Sequence, residues 1–315
     1  MTEAKLIVGA APSGTTLGAT PGALAWRRFR ANRPAVWSLW LLAGLVLMAL
    51  LGPWARGLDS NQTTALQFAS PSASHWFGTD VHGRDLFTRL CIGARLSLLV
   101  GFVGAIVSLF IGVCWGSVAG YIGGQLDDWM MRFVDILYSL PGIVFVIVLI
   151  TSLEQLAAGW LQQLAPALAP SVRLVFLFLG LGAVSWLTMA RIVRGQVLSL
   201  RTRAFVSASL CLGAGHSRIL IRHILPNITG IVIVYLTLTV PSVVLYESFL
   251  SYLGLGIRPP QASLGTLIAE GASQINPIHT YWWLLAFPAV FLGLALLALS
   301  LIGDGLRDAL DPRAG

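Results

Sequence analysis

Six long and mostly apolar stretches of this sequence lack any Asp, Glu, Lys or Arg. A helix that crosses a bilayer needs about 20 mostly apolar residues, because hydrocarbon offers its backbone no hydrogen-bond partners. Only 10% of the residues are charged, whereas soluble domains carry about 25%. The qualifying stretches lie between Arg33 and Arg56, Arg95 and Asp127, Asp135 and Glu154, Arg173 and Arg191, Arg222 and Glu247, and Glu270 and Asp304. They predict an all-α polytopic membrane protein with about six transmembrane helices.

One membrane domain, residues 35–315, is predicted to follow a cytoplasmic N-terminal tail, residues 1–34, because no region is polar enough to coat a separate globule. The expected spans lie near residues 36–55, 96–120, 135–153, 174–191, 228–249 and 282–303. The uncharged stretch 155–172 contains Gln162, Gln163, Pro166 and Pro170. We therefore expect it at the membrane interface, as an amphipathic or re-entrant piece.

The distribution of arginines predicts the orientation. Positive charges are retained on the cytoplasmic side, and four arginines precede the first span: Arg27, Arg28, Arg30 and Arg33. Six crossings from an inner N-terminus place residues 121–134, 192–226 and 304–315 inside. Only six of the 20 basic residues then lie outside: Arg56, Arg84, Arg89, Arg95, Arg173 and Arg258. We expect a multi-pass protein of the inner (cytoplasmic) membrane with both termini in the cytoplasm.

No motif for catalysis is present. A P-loop needs a lysine that reaches the terminal phosphates, but the only lysine is Lys5. An intramembrane serine protease needs a histidine base near its nucleophile, but all five histidines fall in predicted loops or at span ends. The sequence therefore predicts a chain that is not an enzyme and that leaves ATP hydrolysis to partners.

No metal site is predicted either. The outer loop holds two imidazoles and two carboxylates, which are good metal ligands. Their spacing fits no standard metal pattern, so a role in ordering the loop is favoured over metal binding. These residues are His75, Asp80, His82 and Asp85. The three cysteines, Cys91, Cys114 and Cys211, are expected to be small apolar core residues.

Two features within the apolar stretches need an interpretation. Asp135, Glu247, Glu270 and Asp304 fall near span ends, where solvated or capping roles are expected rather than a proton relay. Gly112, Gly116 and Gly120 are spaced four apart, which allows a neighbouring helix to approach closely. Packing within the chain is expected there, in preference to a dimer seam.

The inner loop 192–226 has the pattern of two short helices. Phe205, Ala208 and Leu212 recur on one helical face, and Gly213 predicts a helix end. A second helix is expected to start with Ser217 as its cap, and Pro226 is expected to push Leu225 out of the helical region. Helices that lie on the bilayer surface are the alternative to helices that contact a partner.

Several segments of the sequence resemble those of a known family, the permeases of ABC importers. Ser207-Ala208-Ser209, followed after three residues by Gly213 and after nine more by His223-Ile224-Leu225-Pro226-Asn227, resembles the family's E-A-A-x-x-x-G loop in its peptide-permease variant. Four further segments, 75–85, 185–196, 247–256 and 303–312, resemble the C-type permease of oligopeptide transport systems. The similarity covers nearly everything after residue 25.

The resemblance implies the type I ABC importer permease fold and a set of partners. These are a homologous permease in a heterodimer, two cytoplasmic ATP-binding subunits that hold ATP and Mg, and an extracytoplasmic peptide-binding protein. It also implies that the inner loop is a coupling helix that fits an ATPase subunit. The residues that correspond to the coupling motif are Ser207, Ala208, Ser209, Gly213, His223, Leu225 and Pro226. Ser207 and Ser209 replace the family's glutamate and second alanine, so no acidic contact is expected there.

The expected function is therefore that of a permease subunit of an ATP-driven oligopeptide importer, which forms half of the translocation path. A permease for dipeptides or other small amides is the alternative within the family. An ion-coupled secondary transporter and an intramembrane enzyme are the alternatives from other classes, and the former would have central ionisable residues and internally similar halves. The path-lining residues are not predicted, because faces of glycine-rich spans are poorly encoded.

Overall fold

The computed structural model describes residues 21–57, 59–60, 62–164, 169–257, 261–276 and 279–310. They are helical apart from loops with two isolated β-bridges. The helices are α1 (Pro21–Ala31), α2 (Arg33–Arg56), α3 (Leu86–Ile122), α4 (Gly124–Ser139), α5 (Gly142–Leu164), α6 (Ala169–Arg201), α7 (Ala204–Cys211), α8 (His216–Ile219), a π-helical turn (Leu220–Ile224), α9 (Leu225–Tyr252), α10 (Leu264–Ser273) and α11 (Trp282–Leu310).

Five helical runs in the described part of the chain are long and apolar enough to cross a membrane. The bent pair α4–α5 brings the number to six if it forms one span. The five runs are α2, α3, residues Val175–Arg201 of α6, the continuous run His216–Tyr252, and α11. The prediction of an all-α protein with about six spans is confirmed.

Local side-chain chemistry sets where two of the spans begin. Asn32 caps α2 by accepting a hydrogen bond from the Ala35 amide at 3.3 Å, which satisfies one of the unpaired donors of a helix N-terminus. Asp85 caps α3 in the same way through the Thr88 amide at 3.0 Å. α2 ends at Gly57, whose φ of 62° is left-handed and therefore suits glycine.

A sharp break separates α4 from α5. A residue before proline is driven out of the helical region, and Leu140, which precedes Pro141, has φ −80° and ψ 138°. The axes on either side of the break differ by 96°. The span expected at 135–153 therefore contains a bend near its start and is not one straight helix.

Two other spans are longer than expected. α3 starts at Leu86, well before residue 96, and α6 continues to Arg201, well past residue 191. The stretch 155–172, expected at the interface, is helical where it is described, over residues 155–164 and again from Ala169. The first part of the predicted inner loop, residues 192–201, is a continuation of α6.

The glycine stripe of α3 packs against α6 of the same chain. A Cβ on Gly120 would lie 2.8 Å from the Arg194 carbonyl oxygen, and a Cβ on Gly116 would clash with the carbonyl oxygen of Ala190. Gly112 faces the same helix. The expectation of packing within the chain is confirmed. The expectation that all three cysteines are core residues is wrong, because only Cys91 is buried whereas Cys114 and Cys211 are exposed.

Two hydrophobic clusters mark the two ends of the bundle. One joins α2, α3, α10 and α11 and includes Leu90 and Leu264. The other joins α6 to the helices from α7 to α9 and includes Val206 and Ile224. We call the first the outer end and the second the inner end, after the orientation that the arginines predict.

Candidate functional site

The inner segment, residues 202–226, presents the short helix α7. Ser207 and Ala208 are exposed, and the half-buried Ser209 donates its hydroxyl to the Phe205 carbonyl oxygen at 2.8 Å. Val206 is the buried residue of this helix. The predicted apolar face is therefore uncovered, with Leu212 88% exposed and Phe205 39% exposed. An uncovered apolar surface on a charged segment is typical of a contact site for another molecule.

Gly213 ends α7 with a left-handed φ of 80°. Its amide donates to the Leu210 carbonyl oxygen at 2.9 Å, and the Ala214 amide donates to the Ser209 carbonyl oxygen at 3.1 Å. These two bonds form a Schellman motif, which satisfies carbonyl groups that a helix end otherwise leaves unpaired. The predicted helix end at Gly213 is confirmed, and a residue with a Cβ is disfavoured there.

The start of α8 differs from the expectation. Gly215 occupies the cap position, without a side-chain hydrogen bond, and Ser217 lies inside the helix. The prediction of Ser217 as the cap is wrong. The left-handed turn at Gly213 ends α7, and the chain is already extended at Gly215. The cap of α8 therefore lies two positions before Ser217.

The connection into α9 also differs from the expectation. Leu225 is helical, with φ −55° and ψ −43°, so the prediction that Pro226 drives it out of the helical region is wrong. A proline clashes with the carbonyl group four residues earlier in an α-helix, here that of Arg222, and the turn Leu220–Ile224 widens into π-helical geometry instead. His223 lies half-buried in this turn, while Pro226 is exposed.

Polar contacts join α3, α4 and α6 to one another next to the inner segment, and one of them reaches that segment. Arg194 and Asp127 form two hydrogen bonds of 2.5 and 2.7 Å between α6 and α4. Arg201 donates to the Tyr121 carbonyl oxygen at 2.9 Å, and the Tyr121 hydroxyl lies 2.9 Å from Nδ1 of His216. The Tyr121–His216 contact therefore joins the inner segment to α3, which is bonded to α6, and α6 is in turn bonded to α4.

A cavity of about 350 Å³ opens where the α4–α5 break meets α6 and α9. The described residues that line it include no Asp, Glu, Lys, Arg or His. Half of the described lining residues carry hydroxyl groups. The hydroxyl-bearing lining residues are Tyr138, Ser185, Thr188, Tyr235, Thr239, Ser242 and Tyr246.

Charged groups lie beside this cavity without lining it. The Tyr138 hydroxyl lies 2.7 Å from Oγ1 of Thr188, and the guanidinium carbon of Arg191 lies 3.9 Å from the centre of the Tyr138 ring. Arg191 also bonds Asp135 at 2.7 Å, and both side chains are well exposed. Asp135 and Asp304 are both exposed on the chain, and their solvated roles near span ends stay predictions.

A buried ionic network braces the outer end. Arg89 bonds Asp80 at 2.6 Å and bonds both oxygens of Glu270 at 2.5 and 3.0 Å, while Arg84 bonds Asp80 at 2.7 Å. Burial alone would raise the pKa of Asp80, but the Arg84 backbone amide and the Arg89 and Arg84 charges together hold this pKa below its usual value. Arg89 of α3 therefore links the charged outer-loop residue Asp80 to Glu270 of α10.

The four outer-loop residues order the loop, as the sequence predicts. Asp80 accepts a hydrogen bond from the His82 amide at 2.8 Å. Asp85 caps α3, lies 3.0 Å from Nδ1 of His75, and forms an ion pair with Arg56 at 3.7 Å. The described residues contain no group of three His, Cys, Asp or Glu arranged to hold a metal ion.

Glu247 is a buried residue, and the sequence pattern does not predict its burial. Its position near a span end predicts a solvated or capping role, but the side chain is 0% exposed. It bonds the hydroxyls of Ser97 and Ser251, each at 2.7 Å. The solvated interpretation is wrong here, and the only local signal is a serine one turn away at Ser251.

The chain matches two family models. One is described as the binding-protein-dependent transport system inner membrane component and covers residues 112–315, and the other is the N-terminal TM domain of oligopeptide transport permease C, over residues 20–71. The chain is 44% identical over 290 residues to the oligopeptide transport system permease protein OppC of Haemophilus influenzae, covering 91% of this chain and 87% of that protein. It is 44% identical over 290 residues to OppC of Escherichia coli, with 91% and 89% covered. It is also 43% identical over 290 residues to the dipeptide transport system permease protein DppC of Bacillus subtilis, with 92% and 85% covered.

Proposed function

Because the chain belongs to the family of binding-protein-dependent transport system inner membrane components, we propose that it is the membrane-spanning permease subunit of an ATP-driven oligopeptide importer. The fold is the type I permease fold of ABC importers, and the chain is a transport subunit rather than an enzyme. Its relatives carry both oligopeptide and dipeptide names, which supports peptides as the cargo class.

The observation that carries this proposal is the exposed helix α7, which the chain fastens to its own spans and leaves uncovered on the other side. In the proposed assembly, α7 fits a cleft of a cytoplasmic ATP-binding subunit. Ser207, Ala208 and the exposed Leu212 lie on this contact surface. Gly213 and the π-helical turn before Pro226 set the direction of the helix relative to α9.

The hydroxyl-lined cavity is the proposed contribution of this chain to the translocation path. Hydroxyl groups donate and accept hydrogen bonds, so they match the amides that every peptide carries. A lining without charge shows no preference for charged side chains, which suits the passage of peptides of varied sequence. A homologous permease completes the path on the open side of the cavity.

The remaining partners supply what this chain lacks. Two ATP-binding subunits hold ATP and Mg, and their closure drives the spans between two arrangements, since differential binding of ATP to those arrangements provides the free energy. A peptide-binding protein docks at the outer end. The arginine distribution supports an inner location of both termini.

The cavity argues against an ion-coupled secondary transporter. Such a transporter needs ionisable groups at its central site. The described lining residues supply none with a carboxylate, ammonium, guanidinium or imidazole group. ATP-driven transport therefore suits the site better.

The proposal is tested by uptake of labelled peptides of two to five residues in cells with and without this chain. Loss of uptake on deletion, its return on complementation, and copurification of ATP-binding subunits are the expected results. Transport by the purified chain alone would contradict the proposal. Uptake restricted to dipeptides would replace the oligopeptide assignment with the dipeptide one.

A further inference from the structure

Glu247 is a fully buried carboxyl group that has no role in the proposed transport cycle as described above. It lies on α9, close to the outer end of that helix at Tyr252, and is 0% exposed. Within the described residues its polar neighbours are serine hydroxyls and no basic side chain pairs with it. A charge buried without a counter-charge is retained only where hydrogen bonds compensate for the lost water.

The hydrogen bonds around Glu247 have a defined direction. The Ser97 hydroxyl oxygen accepts from the Leu264 amide at 3.1 Å, and the Ser251 hydroxyl oxygen accepts from the Ile257 amide at 3.2 Å. The hydroxyl hydrogens of both serines are therefore free to donate to the carboxylate, one to each oxygen, at 2.7 Å. Glu247 is thus the common acceptor of two relays that each start at a backbone amide.

Both relays lead to the connection between α9 and α10. Ile257 lies in that connection, and Leu264 is the first residue of α10, whose N-terminal amides favour a nearby negative charge. Ser97 belongs to α3, so one carboxylate joins three helices. α10 is also pressed against α9, because a Cβ on Gly265 would clash with the carbonyl oxygen of Ser248.

α9 connects this carboxylate to the inner segment. The helical run His216–Tyr252 is continuous over 37 residues, which corresponds to about 55 Å at 1.5 Å per residue. Its inner end adjoins α7, and its outer end holds Glu247. At the far end of α10, Glu270 is bonded to Arg89. α10 is therefore attached both to the run that reaches the inner segment and to the outer ionic network.

We infer that Glu247 is a positioning residue that makes α10 move with α9, so that a displacement of the inner segment reaches the outer face where cargo arrives. The inference rests on the proposed function, because the ATP-binding subunits and the peptide-binding protein are the partners whose actions it couples. It predicts that loss of the carboxylate separates ATP hydrolysis from delivery of the cargo.

The test uses the complete importer in proteoliposomes, with wild-type chain, Glu247→Gln and the double variant Ser97→Ala/Ser251→Ala. In the glutamine variant an NH₂ group replaces one of the two carboxylate oxygens. This group cannot accept the hydrogen bond from the serine hydroxyl that faces it, so one relay is lost. Basal ATPase activity is expected to stay within about twofold of wild type, while stimulation by peptide-loaded binding protein and peptide uptake each fall about tenfold. Glu247→Asp is expected to recover part of the stimulation, because it restores the acceptor.

Ser248→Ala is the matched control. Ser248 is the adjacent buried residue of α9, and its hydroxyl lies 3.4 Å from Glu247, so normal stimulation and uptake are expected. Normal stimulation in both Glu247→Gln and the double variant would overturn the inference. So would a parallel loss of basal and stimulated activity in both, which would indicate a folding role only. A wild-type complex without stimulation by the binding protein would instead count against the proposed function itself.

Discussion

Gly213 is the residue at which backbone conformation alone decides the shape of the inner segment. It has a left-handed φ of 80°, and nothing lies within 4 Å of the position that a Cβ would occupy. Steric crowding by neighbours is therefore not the reason for glycine. The reason is intrinsic, because a side chain in the left-handed region costs roughly 1–2 kcal/mol.

Gly213→Glu is expected to abolish peptide uptake while membrane abundance of the chain stays normal. The substitution strains the end of α7 and adds a charge to the proposed contact surface, but no span packs against it. Gly213→Ala adds only the strain of about 1 kcal/mol and is expected to reduce uptake partly. Uptake and copurification of the ATP-binding subunits measure both effects.

Gly215→Ala is the control for this pair. Gly215 also has open space around it, but its φ is −67°, which any residue adopts. Normal uptake is expected. Equal damage from Gly213→Ala and Gly215→Ala would refute the argument from backbone conformation.

Asp80 gives the outer end a defined dependence on pH. Its pKa in the folded chain lies below the ordinary value of 3.8, so its contribution to stability is fully present above that value and is lost as pH falls through the lower folded pKa. Asp80→Asn is expected to lower the melting temperature at pH 7 and to lessen the further loss below about pH 4. Melting temperatures in detergent from pH 7 to pH 3 measure this. The exposed Asp308→Asn should follow the wild-type curve, and identical curves for wild type and Asp80→Asn would contradict the prediction.

Helices α3 and α6 pack in close contact along the glycine stripe of α3. We call this contact the seam between α3 and α6. Gly116 lies where the backbone of Ala190 approaches, and Val193 and Arg194 also lie within about 3 Å of an added Cβ. Backbone atoms cannot rotate away as a side chain does, so an added methyl group must separate the two helices.

Gly116→Ala is expected to destabilise the chain by about 1–3 kcal/mol through overpacking. Gly44→Ala, in α2, meets nothing within 4 Å and is expected to be neutral or slightly stabilising. Melting temperature and monodispersity in detergent compare the two variants. A Gly116→Ala chain as stable as wild type would show that the seam can widen without cost.

The orientation of the whole bundle is testable through a cysteine that the chain already contains. Cys211 is exposed on α7 and Cys91 is buried, while Cys114 lies in a span. A thiol reacts as the thiolate, which is scarce in hydrocarbon, so Cys211 is the expected target of a membrane-impermeant maleimide.

When this chain is expressed without ATP-binding subunits, which would cover α7, labelling is expected in inverted vesicles but not in intact cells. Cys211→Ser should remove it. Labelling of Cys211 from outside intact cells would reverse the orientation and eliminate the proposed contact with cytoplasmic ATP-binding subunits.

Several features of the fold and of the site are legible in short stretches of sequence. The number of spans follows from charge-free length, the packing of Gly116 within the chain from small-residue spacing, and the end of α7 from Gly213. The number of spans depends on the composition of continuous stretches of about 20 residues, and the other two features depend on neighbours within about one or two helical turns. Pro141 likewise carries a local signal for a break, although not for the 96° angle between the two helices.

Contacts between residues far apart in the chain decided the ionic network at the outer end, the burial of Glu247 and the lining of the cavity. Arg89 meets Glu270 across 181 positions and Ser97 meets Glu247 across 150, and the cavity takes its hydroxyls from helices α4, α6 and α9. An apolar span has little contrast between its faces, so composition places it in the membrane without stating which side meets a neighbour. Only the packing of the assembled helices buried the Glu247 carboxylate and gathered the hydroxyl groups into one cavity.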